Sequence, residues 1–122
     1  MNGEISVPRL DSVIGLHPSI RFVVTAGRYG TILDAVKRRG VTSLEPSSEM
    51  KIVTERYAVL YGLTQGSNSY FGRPRFIIVQ REKLVELLFP FTDRLVIISA
   101  HPSFPIGKTA ELGKLLQSLM SS

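Results

Sequence analysis

The stretch IRFVVTAGRYGTILDAV, residues 20–36, indicates two neighbouring strands joined by a tight turn. The run from Ile20 to Ala26 is rich in β-branched and apolar residues, and so is the shorter run from Thr31 to Val36. Between them the sequence Gly-Arg-Tyr-Gly, residues 27–30, supplies glycines for the positive φ angles that short hairpin turns require. The stretch therefore predicts an antiparallel hairpin that forms strands one and two of a sheet.

Three more strand-like runs follow in the second half of the chain, at residues 75–80, 84–89 and 95–99. The short polar breaks between them predict an antiparallel meander. The last run is apolar at four successive positions, which is typical of a central strand covered on both faces. A proline between Arg73 and Arg75 precedes the third strand, and this combination is typical of the edge of a sheet.

Three helices complete the pattern. Residues 9–16 predict a short first helix, residues 46–64 a long middle helix that starts at Pro46, and residues 106–120 an amphipathic terminal helix. The terminal helix carries one apolar stripe, made of Leu112, Leu115, Leu116 and Leu119. The sequence thus predicts a single α+β domain over residues 1–122, a five-stranded antiparallel sheet with helices on both faces, in the order α-β-β-α-β-β-β-α.

The middle helix is apolar on two faces. One face carries Met50, Val53, Tyr57, Leu60 and Tyr61. Ile52, Val59 and Leu63 fall together on nearly the opposite face. A helix that covers a sheet needs only one apolar face, so the second one predicts burial against a partner subunit.

Composition limits the classes of protein that the chain can belong to. Of the 122 residues, 43% are hydrophobic and 20% charged, which is ordinary for a soluble globular domain. No apolar run is long enough to span a membrane and no signal-peptide pattern opens the chain, so we expect a cytoplasmic protein. The absence of cysteine excludes disulfides, thiolate zinc sites and cysteine nucleophiles. The net charge of +5 permits an acidic partner but is weak support for nucleic-acid binding.

The order of elements, with LDSVIGLHPSIRFVVTAGRYGTIL at residues 10–33, resembles the roadblock and dynein-light-chain superfamily, which is related in shape to longin and profilin folds. More narrowly, RRGVTSLEPSSE at residues 38–49, followed by YFGRPRFIIVQREKL at residues 70–84, resembles small archaeal proteins of roadblock-like type. The resemblance covers nearly the whole chain. It rests on patterns of strands and turns rather than on a catalytic signature.

This resemblance implies a dimer in which the middle helices pack together and the third strands meet to extend one sheet. It also implies a non-enzymatic platform, since several members of the superfamily regulate small Ras-like GTPases. Like charges at Arg73 and Arg75 near the seam would favour a different dimer geometry. The predicted interface residues are Ile52, Arg56, Val59, Leu63, Arg75, Ile77 and Val79.

Gly107-Lys108-Thr109 resembles the end of a phosphate-binding P-loop. Such a loop needs glycine and backbone N–H groups, but Pro102 occupies the position of the first glycine and Pro105 removes a further N–H. Nucleotide binding is therefore not predicted. Gly107, Lys108 and Thr109 remain a candidate anion site at the start of the terminal helix.

His17 and His101 are predicted at the ends of neighbouring strands, where they would lie close together. Two imidazoles are too few for a zinc site, so neither a metal nor a cofactor is predicted, and turn-associated surface histidines are the simpler interpretation. Phe76, Phe89 and Phe91 are interpreted as core or interface residues rather than as a base-stacking platform. A candidate basic patch consists of Lys37, Arg38, Arg39 and Arg73, for which solvation of strand ends is the simpler interpretation.

No nucleophile, base and orienting group can be assembled from the sequence, so an enzyme is not predicted. The sequence favours a homodimeric protein-interaction platform that regulates or scaffolds a small GTPase or another signalling protein. The alternative is a sensor of a small ligand or anion, with a pocket between sheet and helix. Nucleic-acid binding through the basic strand ends ranks third.

Overall fold

The computed structural model describes residues 10–42 and 47–121 of the chain. Within them, helix α1 covers residues 10–14, and two strands follow, β1 at Ile20–Ala26 and β2 at Ile32–Lys37. Helix α2 spans Ser47–Thr64, and the one-turn helix α3 spans Asn68–Phe71. Strands β3, β4 and β5 span Ile77–Gln80, Val85–Pro90 and Leu95–Ala100, and helix α4 spans Thr109–Ser121. The predicted order of elements and the α+β class are therefore confirmed.

All five strands form one antiparallel sheet in the order β2-β1-β5-β4-β3. Strand β5 lies in the centre, as its four successive apolar residues predicted, and β3 lies at an edge, as the preceding Arg-Pro-Arg predicted. Val23 of β1 and Leu87 of β4 flank Ile98 of β5 in register. The centre of the sheet is therefore a continuous buried layer.

Each face of the sheet has its own hydrophobic core. On one face, Leu10 and Val13 of α1 and Leu112 and Leu116 of α4 pack with the sheet and are buried. On the other face, Tyr57 of α2 belongs to a cluster with residues of all five strands. The middle-helix residues predicted to cover the sheet, Met50, Val53, Tyr57, Leu60 and Tyr61, are the ones that do so.

The turn between β1 and β2 packs directly against α2. Gly27 N–H donates to the Thr31 carbonyl over 2.8 Å, which closes the predicted hairpin. Gly30 has φ +91°, and a Cβ built there would lie 2.6 Å from the Cα of Glu55 in α2. Only glycine allows both this backbone conformation and this close approach.

The structure differs from the sequence prediction in several details. The third strand begins at Ile77 rather than at residue 75, after Pro74, which has no N–H for strand pairing. The predicted loop at residues 65–72 holds a 3₁₀ turn, Gln65–Ser67, and α3, where Asn68 Nδ2 donates to Gln65 Oε1 over 2.9 Å. The terminal helix starts at Thr109 after a second 3₁₀ turn, Ile106–Lys108.

Other differences concern single positions. Leu115, which the periodicity placed on the packed stripe of the terminal helix, is 44% exposed. The predicted starts of the first and middle helices, at residues 9 and 46, lie outside the described residues. Among the helices that the structure describes, none combines the length and the hydropathy needed to cross a membrane.

Candidate interaction surface

Helix α2 presents an apolar face to solvent. Val59 is 63% exposed and Leu63 is 76% exposed, and with Ile52 at 38% they form the outer face of α2. The opposite side of the helix is already packed on the sheet through Tyr57 and its neighbours. The two apolar faces predicted from the sequence are therefore both present, and the outer one is left uncovered within the single chain.

The edge strand β3 packs two of its residues on the face of the sheet that α2 covers. Ile77 and Val79 are half-buried in the core beneath α2, while the strand pairs with β4 on one side only. A strand at the end of a sheet keeps unpaired N–H and C=O groups along its free edge. The side chains of Ile77 and Val79 are thus used in the core of the chain. The backbone on the free edge of β3 is available to pair with another strand.

The two arginines predicted for the interface lie on different elements. Arg56 is exposed on α2 and borders a groove of about 300 Å³ together with Arg81 and Glu86. Glu86 is buried and accepts a hydrogen bond from Ser99 Oγ over 3.1 Å. Arg75 is exposed just before β3, next to a larger groove on the α4 side.

Sequence reasoning missed two of the most exposed apolar residues. Tyr70 and Phe71 of α3 are each 84% exposed, and their ring centroids lie 6.3 Å apart. They follow the outer face of α2 along the chain. The signal that could have found them is a pair of adjacent aromatic residues within an otherwise polar loop.

The residues of the candidate basic patch do not form one surface in the structure. Arg38 Nε donates to the Ile20 carbonyl over 2.6 Å, and its terminal nitrogen Nη2 donates to the carbonyls of Ile14 (2.6 Å) and His17 (2.9 Å). The guanidinium of Arg38 therefore ties the end of α1 to the start of β1. Lys37 and Arg39 beside it are exposed.

Arg73, the fourth member of that patch, lies elsewhere. It borders a cavity of about 390 Å³ together with Gly27 and Arg28, beyond the other end of β1. A seven-residue strand is about 23 Å long, so Arg73 is not brought together with the Lys37–Arg39 cluster.

The candidate anion site is occupied by contacts within the chain. Lys108 N–H donates to the Pro105 carbonyl over 2.8 Å, and the hydroxyl of the buried Thr109 donates to the Ile106 carbonyl over 2.7 Å. Two of the donors that an anion would need are thus already used. Gly107 and Lys108 are exposed in the 3₁₀ turn.

The turns that hold the two histidines are adjacent, because His101 N–H donates to the Ser19 carbonyl over 2.8 Å. The Nδ1 atom of each ring is nevertheless hydrogen-bonded within its own turn. His17 Nδ1 accepts the Ser19 N–H over 3.0 Å, and its ring lies edge-on to that of Phe104. His101 Nδ1 accepts the Ser103 N–H over 3.1 Å. In the part of the chain that the structure describes, no three His, Asp or Glu side chains are grouped as metal ligands.

Comparison with solved structures identifies the fold. The gliding protein MglB from Thermus thermophilus matches with a TM-score of 0.78 at 16% identity, covering 97% of this chain and 87% of that one. An MglB described as having a tetrameric arrangement matches with the same TM-score and coverage at 18% identity. The roadblock/LC7 domain from Streptomyces avermitilis matches with a TM-score of 0.66 at 14% identity, covering 93% of this chain and 96% of that domain.

These matches confirm the predicted roadblock-like fold. The chain matches no family model and no curated protein by sequence. The narrower resemblance to archaeal proteins stays a prediction.

Proposed function

We propose that this chain is a non-enzymatic, homodimeric interaction platform that regulates or scaffolds a small GTPase in the cytoplasm. The observation that carries the proposal is the outer face of α2, where Val59 and Leu63 are mostly exposed on a helix whose other face is packed. Apolar clusters of this kind on a protein surface typically mark an interface. A second copy presents the same residues, so the surface is suited to a self-complementary contact.

In the proposed dimer the two α2 helices pack antiparallel across a twofold axis. The segment of α2 from residue 52 to residue 63 has its midpoint between residues 57 and 58. Counted along the sequence, Ile52 and Leu63 are equally far from this midpoint, and so are Arg56 and Val59. Each member of a pair would therefore meet the other member in the second copy. The aliphatic part of Arg56 would cover Val59 while its guanidinium stays in water.

The free edge of β3 supports the same arrangement. Two copies of β3 placed edge to edge would join the two sheets, with Ile77 and Val79 beneath the paired helices and Arg75 at the margin. This pairing would satisfy the backbone groups that the single chain leaves open.

The GTPase part of the proposal rests on the roadblock-like fold and on the superfamily resemblance, which implies regulators of Ras-like GTPases. Such a role requires a shaped surface rather than a catalytic constellation. The paired α2 helices and the exposed rings of Tyr70 and Phe71 provide apolar area for a protein partner.

The dimer is tested by Val59→Asp, which places a charge on the outer face of α2. Analytical ultracentrifugation at micromolar concentration should show a dimer for the unaltered protein and a monomer for the variant, because an unpaired buried charge is costly. Leu115→Asp, at an exposed leucine of α4, is the matched control and should remain dimeric. A monomeric parent protein, or a dimer unaffected by Val59→Asp, would contradict the proposal.

The register is tested by paired charges. Ile52→Glu alone should weaken the dimer, and Ile52→Glu combined with Leu63→Lys should restore part of it, because each glutamate would face a lysine of the second copy. Ile52→Glu combined with Leu115→Lys is the control, which carries the same charges without that pairing. Equal dimerisation of the two double variants would refute the antiparallel register.

The partner is tested by binding to the purified small GTPases of the same genome, each loaded with GDP or with a non-hydrolysable GTP analogue. We expect one of them to bind in a nucleotide-dependent manner. Binding by none of them in either state would refute the GTPase part while leaving the dimer standing.

A further inference from the structure

A groove of about 710 Å³ lies between α4 and the segment that leads into β3. It opens on the face of the sheet opposite α2, so an interface on the outer face of α2 would not cover α4. Its walls come from Arg73–Phe76, from the end of β4 with the turn after it, and from one side of α4.

The floor of the groove is aromatic. Phe76 and Phe89 lie with ring centroids 6.1 Å apart at a tilt of 53°, and Phe91 borders the same space. Phe89 is buried, whereas Phe76 and Phe91 are only partly covered by the core. The phenylalanines interpreted from the sequence as core or interface residues are thus core residues that also reach a surface groove.

Small residues on α4 keep the groove open. Gly113 rests on Phe89, and a Cβ built at Gly113 would lie 3.1 Å from an atom of that ring. Ala110, one turn earlier, also borders the groove and is exposed. Larger side chains at these positions would fill the space above the aromatic floor.

The rim is positively charged on both sides. Arg73 and Arg75 are exposed on one side and Lys114 on the other, and no acidic residue is among the described residues that line the groove. The neighbouring Asp93 is engaged with Arg94 over 3.3 Å and does not border this space. Within the described lining of the groove, no carboxylate therefore offsets this positive charge.

We propose that this groove binds an acidic peptide segment of a partner protein, with one apolar side chain anchored on the phenylalanine floor. Carboxylates before and after the anchor would pair with the arginines and Lys114 on the two sides. From Ala110 to Gln117 the groove follows α4 for about 10 Å, the length of about three extended residues. Cations on both sides of an apolar floor suit such a segment better than a nucleic-acid strand, which needs a charged track along its backbone.

This second binding site goes beyond the proposed dimer and does not depend on it. A GTPase or second copy on the α2 side and an acidic segment on the α4 side could be held at the same time. The platform would then join two partners through opposite faces of one sheet.

The proposal is tested with a peptide array in which one central phenylalanine, leucine or tryptophan is flanked by aspartate and glutamate. Matched peptides carry lysine in place of every acidic residue. The labelled protein should bind the acidic peptides with an apolar centre and neither the lysine versions nor acidic peptides with a central serine. Absence of this selectivity, or stronger binding to single-stranded DNA of similar length, would overturn the proposal.

The site is located by variants measured by fluorescence anisotropy with the best peptide of the array. Arg73→Glu combined with Lys114→Glu should lower the affinity about tenfold or more. Ala110→Gln, which fills the groove without changing charge, should also weaken binding. The control, Arg81→Glu combined with Lys83→Glu, reverses two exposed charges at the β3–β4 turn and should change the affinity less than about twofold.

Binding should persist in the monomeric Val59→Asp variant, so failure of the dimer and failure of the groove are distinguishable. Equal losses in the groove variants and in the charge control would overturn the proposal, because binding would then reflect net charge alone. Circular dichroism of every variant ensures that a loss of binding is not a loss of folding.

Discussion

The two long helices that cover the sheet differ in how completely the chain uses them. Helix α4 packs Leu112 and Leu116 on the sheet and turns mostly polar residues to solvent. Helix α2 packs one apolar face in the same way but leaves Val59 and Leu63 exposed on the other. The α2 side leaves aliphatic surface on the helix itself that the chain does not cover, whereas the open apolar surface beside α4 is mainly that of the phenylalanine groove.

This difference separates residues that hold the fold from residues that are free for interaction. Exposed leucine on α2 contributes little to folding of one chain, because its apolar surface stays in water. Buried leucine on α4 contributes much more, because its removal leaves a cavity. The contrast can be measured in the Val59→Asp variant, which is designed to remove the proposed association so that it does not add to stability.

The largest effect is expected from truncating equivalent leucines on the two helices. Leu116→Ala, at a fully buried position, should lower the free energy of unfolding by about 2–5 kcal/mol. Leu63→Ala, at a position 76% exposed, should change it by less than about 0.5 kcal/mol. Urea denaturation of both variants in the Val59→Asp background measures the difference. Similar losses for the two leucines would show that the outer face of α2 is covered even in the monomer.

The packing of the β1–β2 turn on α2 is tested by substitutions at two glycines that have similar φ angles. Gly30→Ala should cost about 2–4 kcal/mol, because it adds a clash with Glu55 to the strain of φ +91°. Gly40→Ala, at φ +84° with open space around it, should cost only about 1 kcal/mol. Thermal unfolding of the two variants isolates the contact with α2. Equal losses would mean that backbone strain alone sets the effect.

A smaller effect is expected where α1 is tied to the sheet on the α4 side. Arg38→Ala should cost about 2 kcal/mol, because three backbone carbonyls lose their charged donor. Arg39→Ala, next to it and exposed, should change stability by less than about 0.5 kcal/mol. Chemical denaturation provides the comparison. If the two arginines proved equivalent, the carbonyl contacts of Arg38 would be irrelevant to stability.

The smallest effect is expected at an exposed ion pair in the β4–β5 turn. Hydrogen bonds from Arg94 and its positive charge lower the pKa of Asp93 below the ordinary value of 3.8. This contribution to stability is present above that value and is lost as the pH falls through the lower folded pKa, because the unfolded chain binds the proton first. Asp93 is 72% exposed, so Asp93→Asn should cost well under about 1 kcal/mol near neutral pH.

The measurement for Asp93 is the unfolding free energy of the parent protein and of Asp93→Asn as a function of pH. The two curves should converge in acid, and added salt should reduce their difference at neutral pH. A difference that grew as the pH fell would contradict the assignment.

Much of the fold could be predicted from local patterns. The strand Ile20–Ala26 and its hairpin turn were placed correctly, because β-branched runs and glycine turns express backbone preferences within a few residues. The start of β3 and the helical turn α3 were missed. The start of β3 is delayed by Pro74, which cannot donate to a strand, and α3 includes a hydrogen bond between Asn68 and Gln65 that apolar periodicity does not encode.

Among the candidate surfaces, too, one could be predicted from the sequence and another could not. The outer face of α2 was visible in the sequence because helical periodicity fixes which residues share a face. The role of Arg38 was not visible, because its three acceptors lie 18 to 24 residues away and meet it only after the chain has folded. The groove over Phe76, Phe89 and Phe91 was hidden for the same reason, since its walls come from three separate segments.

By itself, the sequence determined the order of elements, the central position of β5, the edge position of β3 and the double apolar face of α2. Each of these follows from a pattern that is local in sequence: turn signals and strand or helix runs for the order, an unbroken apolar run for β5, a proline between two arginines for β3, and helical periodicity for α2. Only the tertiary structure decided that Arg38 serves the fold, that Thr109 is buried, and that Arg73 joins Lys114 around an aromatic groove. Those outcomes depend on distances between segments remote in sequence, which the packing of both faces of the sheet sets.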